Sequence, residues 1–278
     1  MSFRTIALSY LTPVVLCLIV SLSFVKVFIV SGLSPRLPIA GTFFEQFSWT
    51  IVPTALGLFG VTFLYWMISK HKDFELRVLF TVVVAPTSAI LVIVVSQTLL
   101  MAITKAVSSF MLTVTILVSL YVAIFSAIFI MANALSTNVR NFIFIIYGSL
   151  LGSFLSLMLS TISLVTLLLS VALYDLVMLN SKWFNKTISD LSQSRGTGSK
   201  LAYVGRNVEI GIGELIFYSF VPAHVEAYYA FPLLVLTLMM TMIGIMLNLW
   251  MLNKKGVLSG LPGPIFLGLA PLIFSIFI

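Results

Sequence analysis

Two acidic residues lie inside long apolar segments of the chain, at Asp175 and Glu214. Asp175 follows Tyr174, and Glu214 follows the glycines Gly211 and Gly213. A carboxylate is costly to place in hydrocarbon, so acids in such segments are candidates for a functional role. The remaining acids fall in loops or at the ends of apolar segments: Glu45, Asp73, Glu75, Asp190, Glu209 and Glu226. Asp175 and Glu214 are therefore the candidate reactive groups.

The composition indicates the environment of these acids. The chain has 278 residues, of which 60% are hydrophobic and 8% are charged, and its mean hydropathy is +1.18. Soluble domains carry about 25% charged residues. Apolar runs long enough to span a bilayer recur along the chain, and they are too long and too uniform for the strands of a barrel. We therefore predict an all-α polytopic membrane protein.

The apolar runs predict nine transmembrane helices. They lie near residues 6–30, 47–68, 78–101, 107–131, 141–159, 162–180, 208–221, 231–252 and 261–278. The stretch from Phe142 to Leu179 is too long for one helix, so it is divided near Ser160, on a cluster of polar residues. The seventh helix is short, and Pro222 is expected to end it.

The positive charges predict the orientation of these helices. If the N-terminus is cytoplasmic, 12 cations fall on cytoplasmic segments and 2, Arg36 and Lys105, fall outside. This asymmetry is the one that the positive-inside rule favours, and it places the C-terminus outside. Lys26, within the first helix, is expected to extend toward its outer end. The net charge of +7 lies mostly in loops, which suggests contact with anionic lipid headgroups rather than with nucleic acid.

The expected organisation has three parts. Residues 1–180 hold helices one to six, with Asp175 on the sixth. Residues 181–207 form a cytoplasmic loop whose Ser- and Gly-rich centre is typical of a flexible linker. Residues 208–278 hold helices seven to nine, with Glu214 on the seventh.

The two acids are expected at one depth. Asp175 lies seven residues before Lys182, and Glu214 lies eight residues after Arg206. At about 1.5 Å per helical residue, each sits roughly 10–12 Å from the cytoplasmic boundary. Antiparallel neighbouring helices would bring the two carboxyl groups face to face, where they would share one proton. One acid could then activate water while the other polarises a carbonyl group.

Glycines and prolines flank this region. Gly211 and Gly213 remove side chains beside Glu214, which permits close backbone contact or a loosened helix. Pro262-Gly263-Pro264 falls at the cytoplasmic end of the ninth helix. Its prolines leave carbonyl groups unpaired, so the segment could stay extended and bind a peptide by strand addition. The alternative is that the prolines simply begin a helix.

At these residues the chain resembles the presenilin and signal peptide peptidase family of intramembrane aspartyl proteases, especially its archaeal members. Tyr174-Asp175 is similar to the family's Tyr-Asp motif, and Gly211-Ile212-Gly213-Glu214 is similar to its Gly-x-Gly-Asp motif. Pro262-Gly263-Pro264 occupies the place of its Pro-Ala-Leu motif. The resemblance implies a presenilin-like arrangement of nine helices, no metal or other cofactor, and a transmembrane peptide or protein as substrate. Asp175 and Glu214 would be catalytic, Tyr174, Gly211 and Gly213 would support them, and the Pro-Gly-Pro segment would bind substrate.

The chain departs from the family pattern at two of these positions. Glu214 stands where the family has aspartate, and its extra methylene moves the carboxyl group by about 1 Å, a displacement that can change a rate on the order of 100-fold. The third motif keeps only its first proline and a small second residue. The departures leave open whether the family's activity is retained, weakened or lost.

Two other functions remain open at this point. Acids on adjacent helices also make the proton relays of coupled transporters, although no inverted repeat is visible in the sequence. A non-catalytic protein of the same fold would bind substrate without cleaving it. His224 and Glu226 are expected in an outside loop with Tyr228 and Tyr229, as part of an interfacial aromatic belt rather than a metal site.

Overall fold

The computed structural model describes residues 3–33, 51, 54–55, 73–106, 108–132, 136–179, 202–204, 209–255 and 260–277. These residues form eight helices and one pair of short strands. The elements are α1 (Phe3–Val30), α2 (Asp73–Thr104), α3 (Ser109–Ala132), α4 (Thr137–Met158), α5 (Thr161–Leu179), β1 (Ala202–Val204), β2 (Glu209–Gly211), α6 (Ile212–Tyr228), α7 (Phe231–Lys255) and α8 (Pro262–Phe277). Most of the helix predicted near 47–68 and most of the loop 181–207 lie outside the described residues.

Several of these helices are suited to a bilayer. Five are long and apolar enough to cross a membrane: Ile6–Val30, Thr81–Thr104, Ser109–Phe129, Thr137–Met158 and Phe231–Met251. Two shorter apolar helices, Thr161–Val177 and Pro262–Ser275, accompany them. The described part of the chain is thus helical apart from the strand pair, and its apolar helices fit a multi-pass membrane protein.

Helices α1, α4 and α6 form the centre of the bundle. Helix α4 presents the small residues Gly148 and Gly152 to α6, and a Cβ atom at Gly152 would overlap the Ser219 hydroxyl group and lie 2.5 Å from the Ile216 carbonyl oxygen. Small residues let helix backbones approach closely, which is the usual basis of helix association in lipid. The other helices arrange around this centre, with α7 paired to α8 and α2 paired to α3.

The long apolar stretch breaks at Ser160, as the sequence predicts. Helix α4 ends with Leu159 in an extended conformation, and the Ser160 hydroxyl accepts a hydrogen bond from the Ser163 backbone at the start of α5. A serine before a helix stabilises its first turn in this way. The two helices flanking the break are therefore separate elements, and the second of them carries Asp175.

The prediction that Pro222 ends the seventh helix is wrong. Helix α6 continues through Pro222 to Tyr228, so His224 and Glu226 lie in a helix rather than in an outside loop. His224 is fully buried, and its Nδ1 lies 2.9 Å from the Ser156 carbonyl oxygen. The Tyr228 hydroxyl donates to the Leu157 carbonyl oxygen at 2.8 Å.

Those contacts explain why the helix persists. Ser156 and Leu157 are in the last turn of α4, whose carbonyl groups have no partner within their own helix. Side chains from the turn after Pro222 bind these carbonyls, and packing of this kind stabilises a proline-containing helix in a membrane protein. The predicted start of the seventh helix also differs, because residues 209–211 form a strand.

Two lysines form contacts at the C-terminal ends of α1 and α2. Lys105 adopts the left-handed conformation (φ 56°) after α2, and its Nζ donates to the carbonyl oxygen of Val30, the last residue of α1, at 3.1 Å. Lys26 lies 3.9 Å from Glu226, with its side chain 66% exposed. An ion pair this exposed contributes little to stability. Lys26 lies near the C-terminal end of α1, and its side chain extends toward Glu226 of α6.

Candidate functional site

Glu214 lies in the first turn of α6, directly after the short sheet. β1 and β2 pair antiparallel, with Ala202 opposite Gly211, and Gly211 is the last residue before the helix. The free backbone N–H groups and the dipole of a helix N-terminus favour an acidic side chain at this position. The sequence places Glu214 on the seventh helix, and the structure specifies its first turn.

The glycines before Glu214 do not mediate a close backbone contact within the described part of the chain. Gly211 has an ordinary extended conformation (φ −63°, ψ 141°). A Cβ atom at Gly213 would meet nothing within 4 Å, and one at Gly211 would meet only the Glu214 Cγ, at 4.0 Å. Among the described residues, both glycines therefore lack the tight packing that the sequence suggested as one option.

The carboxyl group of Glu214 is held by groups from other parts of the chain. The Tyr10 hydroxyl of α1 lies 2.7 Å from Glu214 Oε2, and the Tyr218 hydroxyl lies 3.5 Å from the same atom. Gly260 also contacts this group: a Cβ atom there would overlap Oε1 and lie 2.5 Å from the carboxyl carbon. We call Tyr10, Tyr218 and Gly260 the carboxyl cradle.

The cradle is itself hydrogen-bonded. The two tyrosine hydroxyls lie 2.8 Å apart, and the Tyr218 hydroxyl donates to the Gly260 carbonyl oxygen at 2.9 Å. Asn248 of α7 also donates to that carbonyl oxygen, through Nδ2 at 2.8 Å. Both tyrosines are buried. The position of the Glu214 carboxyl group thus depends on α1, α6, α7 and the segment before α8.

Asp175 lies near the C-terminal end of α5 and is partly accessible. Its Oδ2 atom is buried and has no hydrogen-bond partner among the described residues. Asp175 and Glu214 are close enough to interact electrostatically, so the two acids do lie at one end of the bundle. Tyr174 precedes Asp175 and is half-buried.

The Pro-Gly-Pro segment does not have the extended conformation that strand addition would need. Pro262 to Pro264 form the first turn of α8. Proline suits the first helical position, because its fixed φ is helical and the N–H group that it lacks would be unpaired there anyway. The alternative left open by the sequence, that the prolines begin a helix, is the one observed.

This segment packs against α7 instead. A Cβ atom at Gly244 would lie 2.6 Å from the Gly263 carbonyl oxygen, and one at Gly263 would lie 2.5 Å from the Asn248 Oδ1. This tight contact fixes the start of α8 relative to α7. Gly260 is just before that start, so the segment positions the glycine against which the Glu214 carboxyl group rests.

The tyrosine of α1 was not predicted from the sequence. Tyr10 lies 204 residues before Glu214, and one tyrosine in an apolar helix normally indicates packing. One feature of the sequence could have indicated its role: Tyr10 lies six residues after Arg4, at a depth similar to that expected for the two acids. Tyr218 lies one helical turn after Glu214, on the same face, and was also overlooked.

No metal site accompanies the acids: the described residues contain no group of three or more His, Cys, Asp or Glu side chains that could hold a metal ion. The groups available for chemistry at this site are two neighbouring carboxyl groups, one of which contacts two tyrosine hydroxyls.

No model of a known protein family matches the chain, and no curated protein matches it either.

Proposed function

We propose that the protein is an intramembrane endopeptidase of the aspartyl type, which hydrolyses peptide bonds within transmembrane segments. Asp175 and Glu214 are its catalytic acids. The observation that carries the proposal is that these two acids, on different helices, lie close enough to interact electrostatically at one end of an apolar helical bundle. In addition, no ion pair joins either acid to a cation in the described part of the chain.

The chemistry requires one proton between the acids. One carboxylate takes a proton from water, whose oxygen adds to the carbonyl carbon of the scissile bond, and the other carboxyl group gives its proton to the carbonyl oxygen. The tetrahedral diol then loses the amine as its C–N bond breaks, the nitrogen takes a proton from the first acid, and the second acid regains its own. Asp175 Oδ2 is buried and has no hydrogen-bond partner among the described residues, so it can act as an acceptor in this exchange.

The proposal includes the nine-helix, presenilin-like arrangement, with a cytoplasmic N-terminus and an outside C-terminus. Water then enters from the cytoplasmic side, which is nearer to the acids. A substrate helix must unwind locally, since its carbonyl groups are hydrogen-bonded. The edge of β2 ends at Gly211, three residues before Glu214, and offers backbone groups to an unwound segment, so strand addition fits better here than at Pro262.

The test is cleavage of a transmembrane peptide by the purified protein in liposomes. Asp175→Asn and Glu214→Gln should each abolish cleavage, because each removes one titratable carboxyl group and keeps the side-chain size. Glu226→Gln is the matched control, since Glu226 lies on the same helix near its other end. Cleavage by either acid variant at the parent rate would refute the proposal.

The same experiment separates the alternatives. Uptake of a tracer that depends on a pH gradient, without cleavage, would indicate a proton- or cation-coupled transporter that uses the same acids. Peptide binding without cleavage or uptake, unaffected by Asp175→Asn, would indicate a non-catalytic substrate-binding protein.

A further inference from the structure

Three short oxygen–oxygen contacts form an unbranched chain that begins at Glu214. Glu214 Oε2 lies 2.7 Å from the Tyr10 hydroxyl oxygen, which lies 2.8 Å from the Tyr218 hydroxyl oxygen. The Tyr218 oxygen lies 2.9 Å from the Gly260 carbonyl oxygen. Each of these distances is that of a hydrogen bond, so each contact requires one hydrogen atom between its two oxygens.

If Glu214 is ionised, its neighbours supply too few hydrogen atoms for the three oxygen–oxygen contacts. A tyrosine hydroxyl supplies one hydrogen, whereas a carbonyl oxygen and a carboxylate supply none. Tyr10 and Tyr218 then provide two hydrogens for three contacts, and one pair of oxygens must face each other with no hydrogen between them. The longer contact from Tyr218 to Glu214, at 3.5 Å, does not help, because it would use the same Tyr218 hydrogen.

A protonated Glu214 completes the chain. Its carboxyl hydrogen is donated to Tyr10, the Tyr10 hydrogen to Tyr218, and the Tyr218 hydrogen to the Gly260 carbonyl oxygen. That oxygen also accepts a hydrogen bond from Asn248, so both of its lone pairs are used. Three hydrogens then fill three contacts, all in the same direction.

The surrounding charges agree with this count. Among the residues whose side chains the structure describes, the groups that face Glu214 are Tyr10 on α1, Tyr218 on its own helix, Asn248 through Gly260, and Asp175 on α5. Asp175 is the charged neighbour, and it is an acid. In the part of the chain that the structure describes, no cation forms an ion pair with Glu214 that would offset the charge of a carboxylate.

We propose that Glu214 carries the proton of the acid pair, that Tyr10 and Tyr218 are positioning residues that hold it, and that Asp175 is the ionised partner. The catalytic meaning of this assignment depends on the proposed function: Asp175 accepts the proton of water, and Glu214 donates to the substrate carbonyl oxygen. When Glu214 gives up its proton, the Tyr10 hydrogen can turn to the carboxylate, so the 2.7 Å contact serves both states.

The experiment is infrared spectroscopy of the full-length protein in liposomes at neutral pH. A protonated carboxyl group has a C=O stretching band that is separate from the bands of carboxylates. We expect this band in the parent protein, and we expect it to move to lower frequency when glutamate, but not aspartate, carries a ¹³C-labelled carboxyl group. It should be lost in Glu214→Gln and kept in Glu226→Gln.

Tyr10→Phe tests the positioning role. Removing the hydroxyl leaves the carboxyl O–H of Glu214 without its acceptor, so its C=O band should shift to higher frequency. Tyr121→Phe is the matched control, because Tyr121 lies on α3 with 63% of its surface exposed, and it should leave the band in place. A purely structural contribution of Tyr10 would change thermal unfolding but would not shift this band.

The spectrum can overturn the assignment whether or not the protein cleaves peptides. A band that moves with labelled aspartate and disappears in Asp175→Asn would place the proton on Asp175, and the absence of a band in the parent would show that neither acid holds it. If Tyr10→Phe does not shift the band, Tyr10 does not accept the carboxyl hydrogen of Glu214. Isotope labelling assigns the band in the parent protein, so the assignment does not depend on whether a variant folds. If the Glu214 band is present but the protein does not cleave peptides, the proposed function is refuted and the assignment of the proton to Glu214 stands.

Discussion

Replacing Gly260 by alanine tests whether the carboxyl cradle has only enough space for the Glu214 side chain when residue 260 is glycine. The new Cβ atom would lie 2.5 Å from the Glu214 carboxyl carbon and 2.7 Å from Oε2, whereas ordinary contact begins at 3.4 Å. The carboxyl group must therefore retreat by about 0.9 Å, the difference between 2.5 and 3.4 Å. It cannot retreat and keep its contact with Tyr10 unchanged, because Tyr10 is buried and held by Tyr218.

The size of the effect follows from that displacement. A shift of about 1 Å in a catalytic group can cost on the order of 100-fold in rate, which is about 2.7 kcal/mol in the activation free energy. Overpacking of the site should also lower the free energy of unfolding by about 1–3 kcal/mol. The assay is cleavage of a transmembrane peptide, with thermal unfolding measured by circular dichroism as a readout that does not depend on activity.

A second substitution sharpens the test. Glu214→Asp removes one methylene, which withdraws the carboxyl group by about 1 Å, and so leaves room for the methyl group that Gly260→Ala adds. In this background Gly260→Ala should cost little, and the two changes should show a coupling free energy of about 2 kcal/mol. Two results would refute the idea that the carboxyl cradle requires glutamate at position 214. One is cleavage and stability like those of the parent in Gly260→Ala alone, and the other is additive effects in the double variant.

Three further predictions concern the acid, the packing and the topology. Glu214→Asp alone should lower cleavage because its carboxyl group withdraws from Tyr10; a rate at or above that of the parent would contradict this. Gly152→Ala should reduce the free energy of unfolding by about 1–3 kcal/mol through overlap with Ser219, whereas Gly213→Ala should not reduce it, as thermal unfolding in detergent would show. Tags in 181–207 and at the C-terminus should be accessible from the cytoplasm and from outside, respectively; tags on one side would exclude nine spans.

The features that the sequence predicted well are those set by local pattern. Long apolar runs identify membrane-type helices, because lipid requires backbone hydrogen bonds to be made within the segment. The break at Ser160 follows from polar residues, one of which begins the next helix. Asp175 and Glu214 are close enough to interact electrostatically, which agrees with the proximity that the sequence predicts for them.

The features that it did not predict depend on distant contacts. Pro222 favours a helix end locally, yet the turn beyond it is stabilised by carbonyl groups of α4, which no local pattern reveals. Gly260 has no distinctive local pattern, and its role is visible only once Glu214 lies against it. Tyr10 is indistinguishable from a packing residue until its partner, 204 positions later, is placed beside it.

This separation along the chain has a consequence for biosynthesis. Tyr10 leaves the ribosome first, Glu214 follows 204 residues later, and Gly260 emerges 42 residues after Tyr218. During insertion, α6 therefore enters the membrane before α7 and α8, which supply Asn248 and position Gly260, have been made. A nascent chain that stops after α6 lacks one wall of the cradle. The protein thus acquires its complete acid site only after α7 and the segment before α8 have been synthesised, and a chain that is terminated earlier lacks that site.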